Sequence, residues 1–289
     1  MTAEASGTAE ASGAVALDYV VPGPALAPYV TLFYLFRADV PAFDEMERAD
    51  HAQLRFQLIP GSPVYHFADG ERVAAARHHF VGPTSGAVRT CVDGPIRTFG
   101  MGLTPAGWEA LTGIDADTAL DCILDAADRL GLVADDLAAA IDPCATAEEM
   151  VAVAAPRLEA LIGAGHAATL RFVRAVDAWL VGHPSPEIGA LVAATGVSRR
   201  QVERRCNALY GAPPKLLARK YRALRAAVAL ADGHEPADAF YDQSHMIREI
   251  KQFTGLTPRR MRDPGMLAKL TIAQRRALEG RVSPIISDT

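Results

Sequence analysis

The stretch from Ser185 to Arg262 constrains the fold most, because it spells out two helix-turn-helix units strung along one connecting helix. In SPEIGALVAATGVSRRQVERRCNALYG, Ser185 can cap a helix opened by Pro186 and Glu187, with Ile188, Leu191 and Val192 sharing one face. Gly196 can take positive φ and end that helix. Ser198 then caps a second helix in the box form with Gln201, and Val197 can staple against Val202. Val202, Cys206 and Leu209 are spaced to face a core, which turns Arg200, Arg204 and, less centrally, Glu203 and Asn207 outward. Arginines at the start of such a helix can make bidentate bonds to guanine edges and charge-assisted bonds to phosphate. Glu203 either accepts from cytosine N4 or repels phosphate.

Gly211 stops this helix, and Pro213 or Pro214 starts a connecting helix with Leu217, Tyr221, Leu224 and Val228 on one stripe. Lys215, Arg219, Lys220, Arg222 and Arg225 lie largely off that stripe. In FYDQSHMIREIKQFTGLTP, Asp242 is the cap, Met246, Ile250 and Phe253 face inward, and Ser244, Arg248 and Lys251 face outward. Gly255 closes the helix, and Thr257 with Pro258 opens a last one. An amphipathic helix pair with surface arginines is usually a solvated hairpin, but two in tandem with matched caps point to DNA.

This order, GVSRRQVERR, PPKLLARKYRALRAA, then FYDQSHMIREIKQFTGLTP, resembles the C-terminal domain of the AraC/XylS family of bacterial transcription regulators over residues 185 to 262. The resemblance implies that each motif places its second helix in one of two neighbouring major grooves. It also implies base-reading positions at Arg200, Glu203 and Arg204 in the first motif, and at Gln243, Ser244 and Arg248 in the second. The chain departs from the family between Gly233 and Phe240. Where the family has a positioning helix and a turn glycine, only HEPADA remains, with Ala239 at the glycine place. That segment is about one to two helical turns short.

The chain has 289 residues, half of them hydrophobic, enough for two domains with real cores. Its net charge of -5 hides a segregation: residues 184–264 carry 14 Lys and Arg against 8 Asp and Glu, whereas residues 1–183 carry 11 against 24. Nucleic acid is therefore expected at the C-terminal half only. The start has no basic segment ahead of an apolar run, and prolines and charges interrupt every apolar stretch short of membrane length. A cytoplasmic protein with no membrane partner is expected. Cys91, Cys122, Cys144 and Cys206 are scattered without zinc spacing, as free thiols in a reducing compartment would be.

Residues 1–14 form a low-complexity tail, and residues 15–115 are β-rich: YVTLFYLF, QLRFQLI, PVYHF, HHFVG, AVRTCV and IRTFGMGL are divided by Pro, Gly and Asp. Such spacing predicts a small sandwich or barrel. PGPALAPYVTLFYLF, HHFVGPTSGAVRT and FGMGLTPAGWEALTG are similar to the degenerate cupin-like sensor domain that precedes the DNA-binding domain in one AraC-type subfamily. In TPAGWEALTG, Thr104 caps and Gly113 ends a short helix that returns Trp108 and Leu111 to the sheet. A metal centre is not expected, since His78 and His79 are adjacent on a strand and point to opposite faces, and His51 and His66 stand alone. No catalytic fingerprint is present, and Cys91 reads as a structural thiol, so neither enzyme chemistry nor a cofactor is expected.

From 116 to 183 the chain is expected to be helical: about 117–141, then a helix boxed by Thr146 and Glu149, then 166–181. The last carries Leu170, Phe172, Val173, Val176, Trp179 and Leu180, too broad an apolar surface to stay open. Dimerisation or packing on the barrel would cover it. Residues 265–289 extend past the family pattern and could cover the surface left by the missing positioning helix, using Leu267, Leu270 and Ala277 or Leu278.

The expected fold is α+β: an N-terminal β-sandwich or barrel with helices, a helical linker, and a C-terminal all-α domain of two helix-turn-helix motifs at 184–264. The expected function is sequence-specific regulation of transcription on double-stranded DNA, through Arg200, Glu203, Arg204, Asn207, Gln243, Ser244, Arg248 and Lys251. A small-molecule effector and a homodimer are open, as is RNA polymerase as partner of an activator. The alternative is a sensor or interaction module whose eroded second motif binds DNA weakly and without sequence preference.

Overall fold

The computed structural model describes residues 15–236 and 240–289; the tail 1–14 and residues 237–239 lie outside it. The β-branched and aromatic runs pair into two antiparallel sheets. One holds β1 (Val15–Val20), β2 (Val30–Ala38), β9 (Ile96–Leu103), β4 (Gln53–Gln57), β7 (His78–Val81) and β10 (Ile123–Asp125), in that order. The other holds β3 (Ala42–Glu47), β8 (Val88–Asp93), β5 (Val64–His66) and β6 (Arg72–Ala74).

Alternation assigns each face of the larger sheet. Phe33, Leu35, Leu54, Phe56, Phe99 and Met101 join one buried cluster, with Phe33 and Phe99 stacked 6.1 Å apart. Their neighbours Tyr34, Phe36, Gln53, Arg55, Gln57 and Thr98 look across to Phe43, Tyr65, Thr90 and Val92 of the smaller sheet, around a cavity of about 170 Å³.

Helices cover the first face. Thr104 caps α1 (Pro105–Thr112), which lays Trp108 edge-on to Phe80 at 5.9 Å. The expected helix at 117–141 is instead a 3₁₀ turn (Ala116–Ala119), strand β10, α2 (Ala126–Leu130) and α3 (Leu132–Ile141). Asp121 takes φ 56°, Ile123 and Leu124 pair with Val81 and Phe80, and the Asp125 carboxylate caps α2. An apolar pair beside an unpaired sheet edge thus became strand although its surroundings favour helix. α4 (Ala147–Ile162) starts with the expected Thr146–Glu149 box and buries Met150, Ala154, Leu158 and Ile162 in the same core.

α5 (Ala167–Gly182) covers its apolar surface in part on the barrel, as one expectation had it, and mainly on the helices that follow. Phe172, Val173, Val176, Trp179 and Leu180 are buried within the chain, mostly among helices that follow, in a cluster that also includes Leu32 and Ala106 with Tyr19, Val21 and Tyr29 against it. After it come α6 (Ile188–Thr195), α7 (Arg199–Tyr210), α8 (Pro214–Ala231), α9 (Gln243–Thr254), α10 (Pro258–Met261), α11 (Met266–Arg276) and α12 (Pro284–Ser287). No helix among the described residues is long and apolar enough to cross a membrane.

Candidate nucleic-acid interface

The first motif is assembled from its own sequence. α6 begins two residues later than expected, with Glu187 at its cap, and Ser185 instead accepts from the Arg222 guanidinium at 3.0 Å. The Trp179 indole donates to the Glu187 carbonyl at 2.8 Å and ties α5 to the start of α6. Gly196 takes φ 67°, as the turn between motif helices requires. Ser198 and Gln201 form the reciprocal capping box of α7. Leu191, Val202, Cys206, Leu209 and Leu217 then share one core with α5.

On the opposite face of α7, Arg199, Arg200, Gln201 and Arg204 are exposed, while Glu203 and Asn207 are half-buried. Glu203 is held by Arg199 at 3.0 Å, so part of its charge is neutralised within the helix. Arg205 is turned away from this face: its guanidinium lies 4.1 Å from the centre of the Phe172 ring and donates to the Ala168 carbonyl. Arg200 and Arg204, one turn apart, exposed and without an ion-pair partner among the described residues, therefore lead the α7 surface.

Asp242 caps α9 by accepting from the His245 amide at 2.7 Å, and Gly255 ends it at φ 73°. Ile250 and Phe253 are fully buried, and Met246 packs beside Ile250. Gln243, Ser244, Arg248 and Lys251 are all exposed, so the side chains expected to read DNA share the outward face. Ile247 lies among them, and Tyr241, 95% exposed, stands just before the helix. Neither was singled out from the sequence. An apolar side chain on such a face can touch a thymine methyl, and an exposed tyrosine can bond phosphate or sugar.

No helix is found between α8 and α9 among the described residues, in keeping with the short segment seen in the sequence. α9 rests directly on α8 through a buried ion cluster that periodicity alone did not flag. Glu249, 1% exposed, accepts from Arg219 at 2.6 Å and from Arg222 at 2.8 Å, with His245 at 3.1 Å. Its signal in the sequence was a lone acid on an otherwise inward stripe, opposite a run of arginines.

Lys220 corrects a further expectation. Instead of lying off the apolar stripe in solvent it is buried, and its ammonium donates to the carbonyls of Asp50 at 2.7 Å and Thr84 at 3.1 Å. Burial pushes its pKa down to about 8 against the pull of Asp50 and Asp121. His51, expected to stand alone, shares a 2.7 Å hydrogen bond with the Tyr221 hydroxyl. His78 and His79 do point to opposite faces. His79 is buried between the Tyr65 hydroxyl and the Ala76 carbonyl, and burial lowers its pKa to about 3.

The cavity between the sheets has a polar floor. Arg55 donates to Glu47 and to the Tyr65 hydroxyl, each at 3.0 Å, and to Gln53, which accepts also from Tyr34. Burial would raise Glu47, but the Arg55 charge and hydrogen bonds outweigh it and hold the carboxyl below its ordinary value. Arg48 and Arg275, which also line the cavity, both pair with Asp50, at 3.3 and 2.8 Å. Nε and Nη1 of both arginines are buried without a partner among the described residues. One side of the cavity is lined by Leu267, Ala268, Thr271, Ile272 and Arg275 of α11 together with Leu224 and Val228 of α8. α11 thus lies over the barrel, Ile272 reaches the core beneath α9, and Leu278, Ile285 and Ile286 of the extension are buried in the cluster around α5.

A two-sheet barrel followed by paired helices with basic outward faces supports a DNA-binding transcription regulator. Residues 191–263 match the family model described as a helix-turn-helix domain, and this segment is a helix-turn-helix domain of the AraC type. No curated relative matches the sequence. Among solved structures, ToxT from Vibrio cholerae O395 aligns with 78% of this chain and 95% of its own at 8% identity and a TM-score of 0.40. The AraC-like transcriptional activator CuxR aligns with 77% and 89% at 16% identity and a TM-score of 0.32.

Proposed function

We propose that the chain is a sequence-specific transcription regulator that reads two neighbouring major-groove segments with α7 and α9, under control of a small molecule held in the barrel. The observation that carries this reading is the pair of exposed arginines, Arg200 and Arg204, on the outward face of a capped recognition helix inside the matched domain. Arg204 and Arg248 choose bases, Lys251 and the flanking arginines hold phosphate, and Ile247 favours a thymine. Residues 15–115 with α4 serve as sensor, α5 to α10 as reader, and 265–289 as a cover between them.

The cavity supports an effector of compact apolar body carrying one hydrogen-bond acceptor, because Phe36, Phe43, Val92 and Leu267 supply the walls and Arg48 and Arg275 the free donors. Its space, on the order of ten water molecules, limits the size. The competing reading, a sensor or interaction module with an eroded second motif, draws on the finding of no helix before α9 among the described residues.

Selection of binding sites from random duplexes, followed by single-base variants, tests the proposal. Arg204→Ala should cost about 1–3 kcal/mol at one base pair and relax choice there. Equal loss on every duplex would make Arg204 a phosphate contact, and failure to select any site would sink the reading.

A further inference from the structure

No positioning helix precedes α9 among the described residues, yet the C-terminal end of α9 is capped from outside its own domain. A helix leaves its last four carbonyls without internal partners. In α9 the Lys251 carbonyl accepts from Gly255, but the Gln252 carbonyl accepts from the Ala87 amide at 2.9 Å and the Phe253 carbonyl from the Ala49 amide at 2.7 Å. Ala49 belongs to the loop between β3 and β4, and Ala87 to the loop between β7 and β8. Ala49 is fully buried in one cluster with Phe253, Ala223 and Leu224. A Cβ on Gly255 would meet Met46 at 2.5 Å and Ala87 at 3.2 Å, so the end of the helix sits flush on the barrel.

The same two loops are fastened to each other and to α8. Asp50 donates its amide to the Thr84 hydroxyl at 2.8 Å, and the buried Lys220 ammonium spans both loops. We infer that these barrel loops do for α9 what α6 does for α7, holding the second recognition helix at its working angle, so that the second reading head is built jointly by both halves of the chain. Ala49, Ala87 and Lys220 are then positioning residues for DNA recognition.

A regulatory consequence follows from the same geometry. Arg48 and Asp50 of the brace line the cavity together with Thr254 and Leu256 at the end of α9. An occupant of the barrel that displaces Arg48 or Asp50 moves the brace, and with it α9, while the parts of the first half on which α7 packs, α1 and the 3₁₀ turn Ala116–Ala119, do not line that cavity. The inference deepens the proposed reading of α9 and rests on it for its consequence at DNA, though not for the brace itself.

The test is hydrogen exchange by mass spectrometry on the full-length protein, wild type against Ala49→Asp, which sets a carboxylate against the carbonyl end of α9. Lys220→Gln is the second variant should the first fail to fold. Exchange across 246–254 should accelerate about tenfold or more while 199–210 keeps its protection. On a selected duplex, the footprint should shrink from two half-sites to one. Unchanged exchange across 246–254, or equal loosening of 199–210 in both variants, would overturn the brace. A wild-type footprint confined to one half-site, unaffected by Arg248→Ala, would overturn the DNA role of α9, with the exchange contrast still deciding the brace.

Discussion

The two recognition helices carry similar surfaces on unlike foundations. α7 has its own capping box, left-handed glycine turn and positioning helix, and it packs both on the nearby α5, α6 and α8 and on α1 and the 3₁₀ turn Ala116–Ala119 of the first half. α9 has a single side-chain cap in Asp242, and its inner face is completed by a buried ion cluster on α8 and by barrel loops some 165 to 205 residues earlier in the chain. The contrast teaches that a degenerate motif need not be a dead one. In the proposed reading the barrel loops stand in for the positioning helix not found among the described residues, which would make that motif sensitive to the barrel's state.

The comparison breaks most sharply at the inner faces. Phe253→Ala should cost about 3–5 kcal/mol, since a fully buried ring shared by α8, α9 and the barrel is lost. The check is denaturant unfolding, with loss of the second half-site before the first. Close behind, Glu249→Ala should cost about 3–5 kcal/mol by leaving Arg222 buried without its carboxylate. Its counterpart on α7, Glu203→Ala, removes an exposed i,i+4 pair and should cost under about 0.5 kcal/mol. Matched losses for the two glutamates would erase the distinction between the foundations.

Asp177 sharpens the comparison from the α7 side. It accepts from the Tyr210 hydroxyl at 3.0 Å, and burial raises its pKa from 3.8 to about 6. The folded state therefore keeps this proton where the unfolded chain releases it, and stability falls as pH rises from about 4 to about 6. Asp177→Asn should add up to roughly 3 kcal/mol at pH 7, at about 1.4 kcal/mol per pKa unit, and nothing below pH 4. Melting curves across that range check the sign; a gain that persists undiminished at pH 3.5 would remove the protonation account. The smallest effect is local: Ser198→Ala should cost about 1 kcal/mol through the lost cap of α7.

What could be read in the sequence follows the range of the forces. Caps and stops at Thr104, Gly113, Thr146, Gly196, Ser198, Gly211, Asp242 and Gly255 were legible because each is settled within one turn of the helix it bounds. The outward faces of α7 and α9 followed from periodicity for the same reason. β10 was not legible, because the edge of β7 that claims Ile123 and Leu124 is more than forty residues away. Lys220 was misread since a lysine beside an apolar stripe ordinarily reaches water, and its acceptors, Asp50 and Thr84, come from loops far earlier in the chain. Ser185 was drawn from its cap by Arg222, again a tertiary partner. The destination of α11, over the barrel, depends on a surface that exists only after folding.

The most direct test of the central claim is the affinity of the full-length protein for its own upstream DNA and for a scrambled duplex, each measured across a salt series. Specific reading by two helices predicts a preference of about a thousandfold or more that survives added salt, with both affinities falling as phosphate contacts are screened. A ratio near one at every salt concentration, with a steep slope for both duplexes, would show that the arginine faces bind phosphate alone and would contradict the account.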